Sequence, residues 1–152
     1  MDIVDLFNRT PFVELLGIEV TEASDGHAEA RLGYDESLRS NEHGEVMHGG
    51  VTYALADTAG GAAVISLSMD VSPTVDMRMD YLAPATSDLY ATADVIRHGS
   101  SLSMVQVDVA NEDGDPVATA QGTYKTSGQG DETPCVSATF SAVIPIWSSP
   151  ML

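Results

Sequence analysis

Between residues 41 and 57 the sequence reads NEHGEVMHGGVTYALAD, and several of its residue types can do chemistry together. Gly49 and Gly50 stand where an apolar run begins. If that run is a helix, its first backbone N–H groups lack partners within it. The dipole adds positive potential there, and glycine lets a ligand approach the backbone. Such a tip can hold an oxyanion. His48, immediately before, is placed to fix the loop and cap the helix rather than to act as a base. Asp57 stands among Ala54, Leu55, Ala59 and Ala62, where a carboxylate loses hydration and must be hydrogen-bonded, protonated or open to a cleft. An acid kept in that setting suits general-base work. The plainer alternatives are glycines that only permit a tight turn and an interior acid satisfied by Thr52 or Thr58.

Other chemistries find less support. His43, His48, Glu42 and Glu45 lack a recognised metal-ligand spacing, and no metal is expected. The single Cys135 excludes an intrachain disulfide and paired-cysteine zinc sites. No G-x-S-x-G elbow occurs, so a serine triad is unsupported. The net charge of -17, from 23 acids against six bases, is spread from Asp2 to Glu132. That reads as the uniformly anionic, solvated surface of a halophile. It also disfavours nucleic acid and anionic membranes, both of which need positive charge opposite phosphate. The N-terminus MDIVDLFNRTPF carries an acid and no long apolar run, so a soluble, cytoplasmic protein is expected.

The elements that must position these residues follow from periodicity. At 152 residues the chain suits one domain. Residues 3 to 16 have a broken helical pattern interrupted by Pro11, which predicts one or two short helices. GIEVTEA and GHAEARLGY alternate on either side of Ser24, Asp25 and Gly26 and predict a hairpin. Across residues 51 to 67 apolar positions fall on every face, so this helix should be central and wrapped by other elements. It spans only about 25 Å and carries Asp57, so it is not a membrane span. After Pro73 alternation returns four times, and TVDMRMDYL puts Val75, Met77, Met79 and Tyr81 on one face. The four strands predict an antiparallel meander. Six strands with one apolar helix after the second give an α+β architecture, a curved sheet around that helix. Residues 127–152, apolar and acid-free after SGQGDETP, read as a disordered or loosely docked extension and are assigned no chemistry.

The element order and the stretch GEVMHGGVTYALADTAGGAA together resemble the hotdog-fold acyl-CoA thioesterases, in the branch that includes the phenylacetate-pathway enzymes. The likeness covers roughly residues 9 to 125, within a domain taken as 1–126. It implies that Gly49 binds the thioester carbonyl, with Gly50 beside it. It also implies that Asp57 activates water or attacks directly to give an anhydride, and that Thr74 orients the water. Asn41 would polarise the carbonyl through its amide, although it lies seven residues before His48, one more than the family pattern. Relatives place basic residues near the loop that here reads RHGSSLS, which implies phosphate contacts from Arg97, Gly99, Ser100 and Ser101. Coenzyme A is then part of the substrate, and no other cofactor is expected. Met77, Met79, Tyr53 and Tyr81 could line an acyl pocket, but their composition equally suits core positions, and core is the preferred reading.

Helix rise adds a constraint of its own. Asp57 lies eight residues beyond Gly49, about 12 Å along the axis, and an aspartate cannot return that far. If both act on one carbonyl, a second copy must bring its Asp57 beside this chain's Gly49, with two central helices antiparallel across a dyad. A homodimer, or a dimer of dimers, is expected. Two other readings remain open on the sequence: a noncatalytic acyl-CoA-binding module and a hotdog dehydratase. The halophilic reading predicts that the thermal unfolding midpoint rises steeply with KCl as salt screens self-repulsion. Full folding and activity in dilute buffer contradicts it.

Overall fold

A computed structural model describes residues 2–126; the extension expected at 127–152 lies outside the described residues. Two short helices come first, α1 (Ile3–Asn8) and α2 (Pro11–Leu16). Pro11 opens α2, where its missing N–H costs nothing, and Gly17 closes it in the left-handed region at φ +73°. Strands β1 (Ile18–Ser24) and β2 (His27–Leu32) form the expected hairpin. Its two-residue turn holds Asp25 at φ 50° and Gly26 at φ 82°, the doubly positive pair that matches strand twist. The Asn8 side chain bonds both backbone groups of Val20, donating to its carbonyl at 2.9 Å and accepting from its N–H at 2.8 Å. Helix α1 packs on β1 and α3, and α2 on β1.

The long helix α3 (Gly49–Ser68) follows, then β3 (Thr74–Tyr81), β4 (Leu89–His98), β5 (Leu102–Asn111) and β6 (Pro116–Lys125). All six strands form one antiparallel sheet in the order β1-β2-β4-β5-β6-β3. The expected four-strand meander is therefore corrected to three, β4-β5-β6. Both edges of β4 are taken, by β2 and β5, so β3 pairs instead with β6 at the far edge. The connection 82–88 has no tight-turn pair and is tied down elsewhere. Leu82 and Ala83 donate to the Val117 carbonyl, and the Ala85 carbonyl accepts from Met47.

The core lies between the sheet and α3. Val51, Leu55, Ala56, Ala59, Ala62, Ala63 and Val64 of the helix are buried, as are Leu32, Leu89, Ala93, Val105, Val107 and Ala120 of the strands. Alanines on the helix let a curved sheet come close around it, and few large side chains are needed to fill the space. The wrapping is not complete. Gly50, Tyr53, Ala54, Asp57 and Thr58, spaced three and four apart, keep solvent exposure along one stripe.

On β3 the expected face is broken by a bulge. Thr74 pairs with Tyr124 and Asp76 with Thr123, so Val75 is the extra residue and stands exposed. Met77 and Met79 do face the core, the first buried and the second packed against it. Tyr53 and Tyr81 do not belong to it; they are 36% and 53% exposed, which corrects the core reading for both. Among the described residues no helix is long and apolar enough to cross a membrane.

Candidate active site

The tip of α3 is built by His48. Its backbone is extended (φ -61°, ψ 135°), and its Nδ1 accepts the Gly50 N–H at 2.9 Å, while its carbonyl accepts the Val51 N–H at 2.9 Å. A ring nitrogen that accepts carries no proton, so the Nε2–H tautomer fits this cap. Two of the first three N–H groups are thereby used. Among the described residues the third, the Gly49 N–H, has no hydrogen-bond partner. Tyr81 lies across this tip and donates its hydroxyl to the Gly49 carbonyl at 2.8 Å. A Cβ on Gly49 would stand 3.2 Å from the Tyr81 ring, so the glycine keeps the approach open.

Two turns further along, Asp57 is half-buried. Neither Thr52 nor Thr58 satisfies it; Thr58 Oγ1 bonds back to the Ala54 carbonyl at 2.7 Å. The partners come from the sheet. Thr74, the first residue of β3, donates to Asp57 Oδ1 at 2.8 Å, and the Tyr124 hydroxyl of β6 reaches the same oxygen at 3.0 Å and the Asp57 carbonyl at 3.1 Å. Both side-chain donors fall on Oδ1. Burial, with the Asp57 charge beside it, pushes the Tyr124 phenol far above the ordinary tyrosine range, so it remains a protonated donor at every working pH. Tyr53, which donates to the Met77 carbonyl at 2.9 Å, is also raised, by burial and then by Asp57.

Tyr124 is the residue that sequence reasoning missed. It sits in the last strand as one more inward aromatic. The signal that could have found it is Gly122, a glycine inside a strand, which marks a close approach. A Cβ there would lie 2.8 Å from the Tyr124 ring.

The remaining candidates divide into two places. Asn41 lies in the loop before α3, where its Oδ1 accepts the His43 N–H at 3.0 Å and also that of Gly44. Its carbonyl oxygen is therefore spent on the turn. Arg97, Gly99, Ser100 and Ser101 all line one pocket of about 380 Å³ with Leu102, Met104 and Thr123. Leu102, Met104 and Thr123 alternate with the buried Ser103, Val105 and Tyr124. Within one chain this pocket thus opens on the opposite face of the sheet from Asp57. Gly99 donates to the Leu102 carbonyl at 2.9 Å and accepts from Thr126 Oγ1 at 2.8 Å, which fixes the loop.

Among the described residues, one trio that brings potential metal-ligand atoms within 4.8 Å is Glu22, His27 and Glu29. His27 is engaged by Asp94 at 2.7 Å, and that hydrogen bond raises its pKa. It lies apart from the site.

Comparison with known proteins defines the class. Residues 44–118 match the thioesterase superfamily. A "Putative esterase" of Halobacterium salinarum is 36% identical over 125 residues, covering 74% of this chain and 82% of the relative. The medium/long-chain acyl-CoA thioesterase YigI of Salmonella typhimurium is 25% identical over 130 residues, covering 75% and 84%. Among solved structures, a thioesterase-superfamily protein shares 32% identity with a TM-score of 0.77 over 82% of this chain and 96% of its own. A hypothetical thioesterase of Streptococcus pneumoniae crystallised with coenzyme A gives 28%, 0.67, 74% and 87%. The PaaI protein of the Escherichia coli phenylacetic acid operon shares the fold at 23%, 0.74, 82% and 89%.

The chain belongs to the thioesterase superfamily and has its hotdog fold, a six-stranded antiparallel sheet around one long helix. At family level this is a hydrolase of thioesters. The Halobacterium relative supports the halophilic reading of the -17 charge.

The cap geometry predicts that His48→Ala loses about 1 kcal/mol of stability in urea unfolding, while His48→Asn, whose amide oxygen can take the same N–H, loses only a few tenths. Equal losses in both variants contradict the cap.

Proposed function

We propose that this protein hydrolyses acyl-CoA thioesters at sites shared between two copies of the chain. The observation that carries the reading is the presence together on α3 of a Gly49 N–H that has no hydrogen-bond partner among the described residues and an Asp57 carboxylate held through Oδ1. In the proposed reaction Asp57 Oδ2 takes a proton from water as the water oxygen attacks the thioester carbon. The carbonyl electrons move to oxygen, and the resulting oxyanion accepts the Gly49 N–H and faces the positive end of the α3 dipole. Collapse then breaks the carbon–sulfur bond. Coenzyme A leaves with the proton that Asp57 took, and the free acid remains.

Distance sets the assembly. With about 12 Å of helix between the donor and the base, each site takes Gly49 from one protomer and Asp57 from the other. The stripe of Gly50, Tyr53, Ala54, Asp57 and Thr58 that the sheet leaves uncovered is the face the second helix would meet. Thr74 would hold the attacking water together with Asp57. The Arg97 pocket, with the guanidinium and the hydroxyls of Ser100 and Ser101 beside a Gly99 whose own N–H is held by the Leu102 carbonyl, has donors that a phosphate of coenzyme A requires. The pneumococcal relative crystallised with coenzyme A supports the ligand class. Gly50 is the weakest member of the site in bonding terms, because its N–H goes to His48, whereas the turn at Asn41 uses the amide oxygen and not the N–H group that would polarise a carbonyl.

A panel of acyl-CoA substrates assayed in high salt tests the reading with two variants. Asp57→Ala is expected to lower turnover by about 10² to 10⁴-fold. Beside a Gly49→Ala control, which brings the same Cβ to 3.2 Å from the Tyr81 ring but keeps the N–H, Gly49→Pro isolates the loss of the donor, because proline suits the first helical position and His48 is already extended. It is expected to lose about 10² to 10³-fold. Binding without turnover in the wild type, or turnover unchanged in Asp57→Ala, contradicts the proposal and favours a noncatalytic module.

A further inference from the structure

The environment of Tyr124 is more specialised than a core aromatic requires. The side chain is 1% exposed, yet its hydroxyl is directed at the polar end of Asp57 rather than at solvent. Room for it comes from two glycines. A Cβ on Gly60, one turn beyond Asp57, would collide with the Tyr124 hydroxyl, and a Cβ on Gly122 would meet the ring at 2.8 Å. Glycine in the middle of a helix costs about 1 kcal/mol relative to alanine, and in a strand it also weakens the element. Two such positions converge on one phenol, and that phenol converges on one carboxylate oxygen.

We infer that Tyr124 is a positioning residue for the reaction: from beneath α3 it fixes Asp57 Oδ1 together with Thr74, leaving Oδ2 as the oxygen that takes the proton from water. The inference rests on the reading of Asp57 as the base. Oδ1 receives two donors, at 2.8 and 3.0 Å, and these fill the lone pairs nearest to it. A carboxylate held by one oxygen cannot rotate to offer either, so the geometry of proton transfer is set before substrate arrives. The same hydroxyl lies 3.1 Å from the Asp57 carbonyl, so its one proton is shared between the helix backbone and the side chain, and the phenol is seated against both. It therefore cannot follow a wandering carboxylate. Thr74 alone would leave that freedom, because it sits at the exposed start of an edge strand.

The test is Tyr124→Phe, which removes one oxygen and keeps the ring between its glycines. Its kcat is expected to fall about tenfold or more, the effect of losing one hydrogen bond to a charged group. KM is expected to stay within about twofold, because the phenol touches no substrate. In an Asp57→Asn background the same change is expected to add nothing, since the group it positions is no longer a base. A wild type without turnover overturns the reading beneath this inference and the inference with it. A wild type that turns over and is crippled by Asp57→Asn, beside a folded Tyr124→Phe of undiminished kcat, overturns this inference alone. Equal loss in both backgrounds overturns it too, because it shows a general packing effect. If Tyr124→Phe does not fold, Gly60→Ala, which drives the hydroxyl off its place, carries the same expectation: kcat falls while KM holds, and an unchanged kcat overturns the inference.

Discussion

A single helix carries both groups on which the proposed chemistry depends, and a helix cannot bend back on itself. Gly49 opens α3 and Asp57 lies on it two turns later, so the rise of the helix keeps the proposed donor and base about 12 Å apart. Neither can reach a carbonyl held by the other within one chain. Everything else about the arrangement follows from that separation. The sheet must leave one stripe of the helix bare, the helix must be capped without using its first N–H, and the acid must be held from the sheet side.

How the fold affords an acid in its central helix is a matter of small residues and hydroxyls. Alanines and glycines on α3 let the strands close in, and that closeness brings Thr74 and Tyr124 within hydrogen-bond distance of the carboxylate. Among the described residues no buried side-chain nitrogen or oxygen lacks a partner. The desolvation that an acid suffers in apolar surroundings is thus offset by two donors on one oxygen, while the other stays available. The same logic governs the helix tip, where His48 satisfies the second and third N–H groups and leaves the first.

Much of this was legible in the order of residues. The hairpin was readable because Asp25 and Gly26 form a turn pair with one geometric outcome, and the central helix because its apolar positions fall on every face. Gly49, His48 and Asp57 were readable as a set because their spacing fixes where each stands on a helix. The place of β3 was not. Alternation reports which face of a strand is buried, not which neighbour it pairs with, and the occupation of both edges of β4 by β2 and β5 is a property of the whole sheet. The bulge at Val75 was hidden for the same reason, since one extra residue shifts a face without changing composition. Tyr124 was missed because an inward aromatic on a strand is ordinary. Only its distance to Asp57, set by two glycines far apart in sequence, distinguishes it.

The central claim is that donor and base come from different protomers, and mixing two disabled chains tests it most directly. Asp57→Ala and Gly49→Pro, carrying different affinity tags, are to be combined in high salt and the mixed dimer isolated through both tags. One of its two sites then contains neither substitution, so the account predicts about half the wild-type turnover from two inactive parents. A mixed dimer as inactive as its parents means that both groups serve the same site within one chain, and contradicts the account.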